Sequence, residues 1–278
     1  MRGLPLSLLL LVGCFGGRAG PTLFEKAFAL DRDGKTREAI DLYQKAVAAD
    51  PRDEDSWYNL GRLYSLLGHE KRAERAFGRC LEINPLAADA LANLGILAEK
   101  RGDAKQAQSL YQRAAEKAPH RAFPFVLLAR LEAKQGRIQL AKRTVQKALL
   151  RDPGSSFAWH QKGRILLQEG RPTEALGALR KAFELDGESD GILRDLAATA
   201  TTTGAHDLAL VALRRLADKH PDQPGWFARI AETQMARKRP NQALLAITRA
   251  LALAPEDEGY LRIRRRIFKT LRAGPHQR

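Results

Sequence analysis

Six histidines, His69, His120, His160, His206, His220 and His276, are the residues of this 278-residue chain best suited to metal or acid–base chemistry, and their spacing suits neither. None has a second histidine or a cysteine at a metal-ligand interval. No Gly-x-Ser-x-Gly elbow, phosphate-binding loop or dinucleotide fingerprint occurs. Acidic residues at the ends of helices are solvated or complement the helix dipole, so paired-carboxylate hydrolysis is not expected. The chain reads as no enzyme, with no metal and no cofactor. What remains is recognition. Arg62, Arg130 and Arg164 recur at multiples of 34 residues, with Tyr58, Phe123, Phe157 and His160 beside them. A guanidinium donates a fork of N–H bonds to a carboxylate, and an aromatic ring offers rigid contact area at low entropic cost.

The elements that carry these residues follow from the stretch 54–87. Trp57, Leu60, Gly61 and Tyr64 fall at helical spacing, Gly68 breaks the helix, Ala73, Phe77 and Cys80 restart it, and Pro85 stops it. Two short antiparallel helices result, close enough at Gly61 and Ala73 to exclude a large side chain. Sliding the stretch by 34 without gaps gives repeats at 20–53, 54–87, 88–121, 122–155, 156–189, 190–223 and 224–257. The small position of the second helix is Ala39, Ala73, Ala107, Ala141, Ala175, Ala209 and Ala243. Its partner on the first helix is Ala27, Gly61, Gly95, Ala129, Gly163, Ala197 and Ala231. The loop glycine is Gly34, Gly68, Gly102, Gly136, Gly170 and Gly204, with Lys238 in the seventh repeat, and Gly187 stands in for the terminating proline of the fifth.

This pattern resembles the tetratricopeptide repeat. The resemblance implies an all-α, right-handed α-solenoid of seven 34-residue helix-turn-helix repeats plus a C-terminal cap helix. Local departures are few. Glu132 takes a position expected to be apolar, and should sit at a half-exposed edge or pair with a lysine. Thr199, Thr201, Thr202 and Thr203 weaken the sixth repeat. Pro240 falls in the first turn of a helix, where proline is tolerated. The segment 258–278 forms a basic cap helix and tail with apolar set Tyr260, Leu261, Ile263, Ile267, Phe268 and Leu271, solvating the end of the array. It carries seven basic residues against Glu258.

The formal net charge is +15, from 47 basic and 32 acidic residues, which favours anionic partners: nucleic acid, anionic lipid, acidic glycan or acidic protein segments. Cys14 and Cys80 form no disulfide framework, and Cys80 reads as a buried packing residue. Residues 1–13 read as a signal peptide, with an apolar run from Leu4 to Val12 too short to span a bilayer. Leu11-Val12-Gly13-Cys14 resembles the lipobox of bacterial lipoproteins. That resemblance implies acylation of Cys14, a tether over 14–19, and an outer-membrane lipoprotein facing the periplasm. Ordinary cleavage after Ala19, giving a secreted or periplasmic protein, and an uncleaved apolar N-terminus are the competing readings.

The family's geometry implies that the first helix of each repeat lines a concave groove. The residues so placed are Phe24, Phe28, Tyr58, Asn59, Arg62, Asn93, Phe123, Arg130, Phe157, His160, Arg164 and Arg194, with Arg262 and Arg266 continuing onto the cap. The second-helix arginines Arg75, Arg113 and Arg180 are expected to face outward. Asn59 and Asn93 match the dicarboxylate clamp of co-chaperones, but its lysines and arginine are absent, with Phe24, Phe28, Asp89 and Asn93 around Asn59. The resemblance thus implies a protein-binding scaffold or assembly factor of the bacterial cell envelope, similar to the pilotin type, holding an extended or helical, acidic segment of a partner. An accessory role with anionic polysaccharide and a nucleic-acid-binding helical repeat are the alternatives; the export signal argues against nucleic acid.

Overall fold

A computed structural model describes residues 21–273, which form fifteen α-helices and no strand. The expected signal peptide, Cys14 and the tether lie outside the described residues, as do His276 and Arg278. The packing divides into two compact units, one up to Leu97 and one from Ala98, and the division falls inside a helix rather than at a linker.

In the first compact unit α1 (Leu23–Arg32) packs on α2 (Thr36–Ala49), α3 (Glu54–Leu66) packs on α4 (Glu70–Ile83), and α2 packs on α3, followed by α5 (Ala88–Lys100), in which the division falls. Caps set the starts. Thr22 accepts from the Glu25 amide while the Glu25 carboxylate accepts from the Thr22 amide, and Asp53 accepts from the Ser56 amide. The ends are set by glycine: Gly34 and Gly68 lie at φ +75, the left-handed turn that lets Lys35 and His69 donate back to Leu30 and Tyr64. Ala27, Ala39 and Ala73 are fully buried, and Tyr43 and Phe77 are the largest side chains sealed in this core. A Cβ on Gly61 would lie 2.6 Å from two atoms of the Phe77 ring, so this glycine makes room for an aromatic side chain rather than for the opposing backbone. Burying such a ring stabilises by roughly 1.5–3 kcal/mol.

The second compact unit continues with α6 (Ala104–Lys117), α7 (Phe123–Lys134), α8 (Ile138–Arg151), α9 (Ser156–Gln168), α10 (Pro172–Leu185), α11 (Asp190–Thr202), α12 (His206–Lys219), α13 (Pro224–Ala236), α14 (Pro240–Leu253) and α15 (Glu258–Arg272), each packed on the next. Ala107, Ala141, Ala175, Ala209 and Ala243 are fully buried. Gly163 repeats the steric logic of Gly61, its missing Cβ facing Leu179 at 2.7 Å. Pro240 occupies the first turn of α14. The threonines at the end of α11 bond back to their own helix, Thr199 to the Asp195 carbonyl and Thr201 to the Ala197 carbonyl, which satisfies their hydroxyls without a partner helix. Lys238 adopts φ +57, the only positive φ at a non-glycine residue among the described residues.

Two local expectations change. Glu132 is neither half-exposed nor paired with a lysine. It is 3% exposed, and its Oε2 has no hydrogen-bond partner. Burial pushes its carboxyl up, against the opposing pull of a hydrogen bond with Thr144 and the charges of Arg137 and Lys147. In α15, Ile267 is sealed while Tyr260, Leu261, Ile263 and Leu271 pack beside it, but Phe268 is 42% exposed and belongs to the basic outer face.

Candidate protein-binding face

The first helices present the predicted residues in each compact unit as follows. In the first unit, Phe24 and Phe28 lie one turn apart on α1 with nearly parallel rings 6.0 Å apart, and Phe24 leans on Tyr43 at 5.8 Å. Phe28 is 50% exposed. On α3, Tyr58 tilts against Phe77 at 5.9 Å. Asn59 and Asn93 each donate their side-chain amide to a carbonyl four residues back, Asp55 and Asp89, so the two amides are turned onto their own helices. Arg62 is ion-paired with Asp31 of α1. Burial lowers the Arg62 guanidinium.

In the second unit the rings of Phe123 on α7 and Phe157 on α9 sit 6.1 Å apart and are both partly open to solvent. Arg130 donates to Glu99 at 2.9 Å, Lys134 reaches the other carboxylate oxygen at 2.5 Å, and the Tyr111 hydroxyl adds a third bond at 2.9 Å. Burial raises the Glu99 carboxyl, but the hydrogen bonds from Lys134 and Arg130 outweigh it and hold the group below its usual range. On α9, His160 lies 2.8 Å and Arg164 3.7 Å from one oxygen of Asp195 on α11. Burial again opposes, and the His160 hydrogen bond prevails to keep Asp195 low. Arg194 stays within its helix, 3.5 Å from Asp190. Asp190 is brought to about 2, first by a hydrogen bond from Lys219 and then by one from His220. On α15 Arg266 lies 3.7 Å from Glu232 of α13, and Arg262 donates to the Glu258 carbonyl.

The arginines at the predicted stripe are therefore partnered. Arg62, Arg130, Arg164 and Arg266 each meet a carboxylate on a neighbouring repeat's first helix, so the stripe alternates charge and is not a bare row of cations. Asp31, Glu99 and Asp195 are the residues the sequence reading missed, whereas Glu232 falls at the stripe position of the seventh repeat. The usable signal was an acid 31 residues before Arg62 and before Arg130. Arg75, Arg113 and Arg180 on the second helices are exposed. The Cys80 thiol is sealed beside Glu54 and pushed up to about 12, first by burial, which leaves it unsuited to nucleophilic work.

Family models match much of the array: the Cilia and flagella-associated protein 70 middle TPR-like domain over residues 24–151, and two tetratricopeptide repeat models over 126–190 and 166–228. The chain is a tetratricopeptide repeat protein. Such proteins bind protein partners, which is the class of function the family carries. Among solved structures, the tetratricopeptide array is similar to the APC/C hetero-tetramer Cut9-Hcn1 with a TM-score of 0.66 at 18% identity, covering 87% of this chain and 48% of that one. It thus spans about half the length of that chain. It is also similar to PilF of Pseudomonas aeruginosa, with a TM-score of 0.63 at 19% identity over 78% of this chain and 100% of that one. PilW, described as a widely conserved type IV pilus biogenesis factor, aligns with a TM-score of 0.56 at 17% identity over 87% of this chain and 96% of that one. At these identities the likeness is one of fold. No curated protein matches the chain in sequence. Among the described residues no helix is long and apolar enough to cross a membrane.

Proposed function

We propose that this tetratricopeptide protein is a non-enzymatic scaffold or assembly factor of the bacterial cell envelope, which holds a segment of another protein against its first helices. The observation that carries the reading is the Phe123–Phe157 pair: two large rings 6.1 Å apart, 37% and 41% exposed, on consecutive first helices. Exposed rings in register are costly on a surface with no occupant, and they are the residue type that anchors a bound segment. The paired arginines flank them with spare capacity, since a guanidinium has five N–H donors and one carboxylate takes at most two. A partner carboxylate can therefore join an existing pair, which is why an acidic segment fits. The structural likeness to PilW, described as a type IV pilus biogenesis factor, supports an envelope setting by analogy of fold. Attachment would come from acylated Cys14.

The face is tested with a photocrosslinking residue in place of Phe157 or, on the second helix α8, of Leu150, which is 72% exposed. Crosslinking in living cells to one discrete protein from position 157 and none from 150 is the expected result. Equal crosslinking from both positions, or none from 157, overturns the reading. Attachment is tested separately by Cys14→Ser, which should abolish incorporation of labelled palmitate and release the protein from membranes; a wild-type protein that already fractionates as soluble ends the lipoprotein reading.

A further inference from the structure

The first compact unit has a concave feature on the side of its second helices. A cleft of about 670 Å³ opens between α2 and α4, with Trp57, Leu60 and Tyr64 of α3 along its floor. Its floor is fixed in place: the Trp57 indole donates to the Pro51 carbonyl at 3.1 Å, and Gln44 donates to the Tyr64 hydroxyl at 2.7 Å. Its rim is cationic. Arg72, Arg75 and Arg79 project from one face of α4, with Arg72 held 5.8 Å from the Tyr64 ring centre and Arg79 5.8 Å from that of Trp57. Glu82, paired with Arg79, is the one acid among the lining residues. Gly78 leaves the mouth open, since a Cβ built on it meets no atom within 4 Å.

The second compact unit supplies an internal comparison. A cleft of about 580 Å³ between α12 and α14 is lined by the residues five repeats further on. There Phe227 and Gln234 stand where the first cleft has Trp57 and Tyr64, Leu245 replaces Arg75 and Thr248 replaces Gly78. The hollow is thus a product of the repeat, whereas the tryptophan–tyrosine floor, the three arginines of α4 and the open mouth are particular to the first unit.

We propose that this cleft binds an acidic segment of a partner protein in which carboxylates flank one aromatic or branched aliphatic side chain. The side chain enters past Gly78 onto Trp57 and Tyr64, and the carboxylates receive the forks of Arg72, Arg75 and Arg79. Charge complementarity selects this occupant: an apolar floor alone would take any hydrophobic segment, but three guanidinium groups against one acid favour carboxylates around the anchor. The site stands on residues other than those of the first-helix face, so either can fail alone.

The test uses the full chain and a fluorescein-labelled twelve-residue peptide of glutamates with a central phenylalanine, beside the same peptide with alanine at the centre. Anisotropy should show saturable binding that weakens at least tenfold for the alanine peptide, for Gly78→Leu and for Arg75→Glu with Arg79→Glu. Phe123→Ser with Phe157→Ser should leave it unchanged. Gly78→Leu is decisive, because leucine favours the helix and keeps every arginine while filling the mouth. Absence of binding to the wild type, binding that survives Gly78→Leu, or equal loss in the Phe123/Phe157 variant each overturns the proposal. So does a wild-type dimer abolished by Gly78→Leu, which would give the cleft to a second copy of the chain.

Discussion

Arg130 and Glu99 form the most enclosed charge pair of the second compact unit, 2.9 Å apart with side chains 24% and 11% exposed. Arg130→Glu would set two carboxylates against each other where water screens them only partly. It should lower stability by about 2–4 kcal/mol, somewhat below the range for breaking a fully buried pair because Lys134 remains. The half-exposed Arg164→Glu should cost under about 1 kcal/mol. Urea unfolding of both variants checks the contrast; equal losses would mean that exposure does not decide the value of these pairs. The pH dependence follows from the Glu99 shift. Its folded-state pKa is depressed, so its contribution is fully present above the unfolded value of about 4.3 and is lost as pH falls through the lower folded value. Removing Arg130 and Lys134 should therefore bring acid unfolding on at higher pH.

Glu132 works in the opposite sense. Its folded-state pKa is raised, so it lowers stability as pH climbs from the unfolded value through the folded one. Glu132→Leu removes a buried acceptor without a partner and should stabilise at neutral pH by about 1–3 kcal/mol, with little gain at acid pH where the carboxyl is already neutral. A gain independent of pH would show that packing, not charge burial, is responsible.

Gly61 and Gly78 lie in adjacent helices and should respond to alanine with opposite signs. At Gly61 the added Cβ meets the Phe77 ring at 2.6 Å, so Gly61→Ala should cost about 1–3 kcal/mol despite the better helix former. At Gly78 the space is open, and Gly78→Ala should stabilise by about 0.5–1 kcal/mol. Thermal melts read both, and destabilisation by Gly78→Ala would contradict the open mouth of the cleft.

Lys238 occupies at φ +57 the turn position that six glycines occupy in the other repeats. Lys238→Gly relieves a left-handed lysine at the end of α13 and should stabilise by about 1 kcal/mol, less the entropy glycine returns to the unfolded chain. An unchanged melting temperature would mean that the two terms cancel.

The helix pairs, their ends and the positions that must stay small were determined by the sequence alone, because each depends on residues within one repeat; that Gly61 makes room for the Phe77 ring was decided by packing. Ala39 and its six equivalents, the turn glycines and the proline stops act over a few residues and recur in register, so the repetition exposes them. Lys238 was legible as an exception for the same reason. The fate of the stripe arginines was decided only by tertiary structure. Their partners belong to neighbouring repeats, with Asp31 and Glu99 each 31 residues before Arg62 and Arg130 but Asp195 31 residues after Arg164, so the interval visible at the first two pairs reverses at the third and does not by itself name the partner. Glu132 was misjudged because a repeat position tells which face a residue occupies, not whether the next helix covers it. The arginine-rimmed cleft stayed hidden for a related reason: Gln44, Trp57 and Arg79 come from three helices, and only their packing puts an aromatic floor beneath a cationic rim.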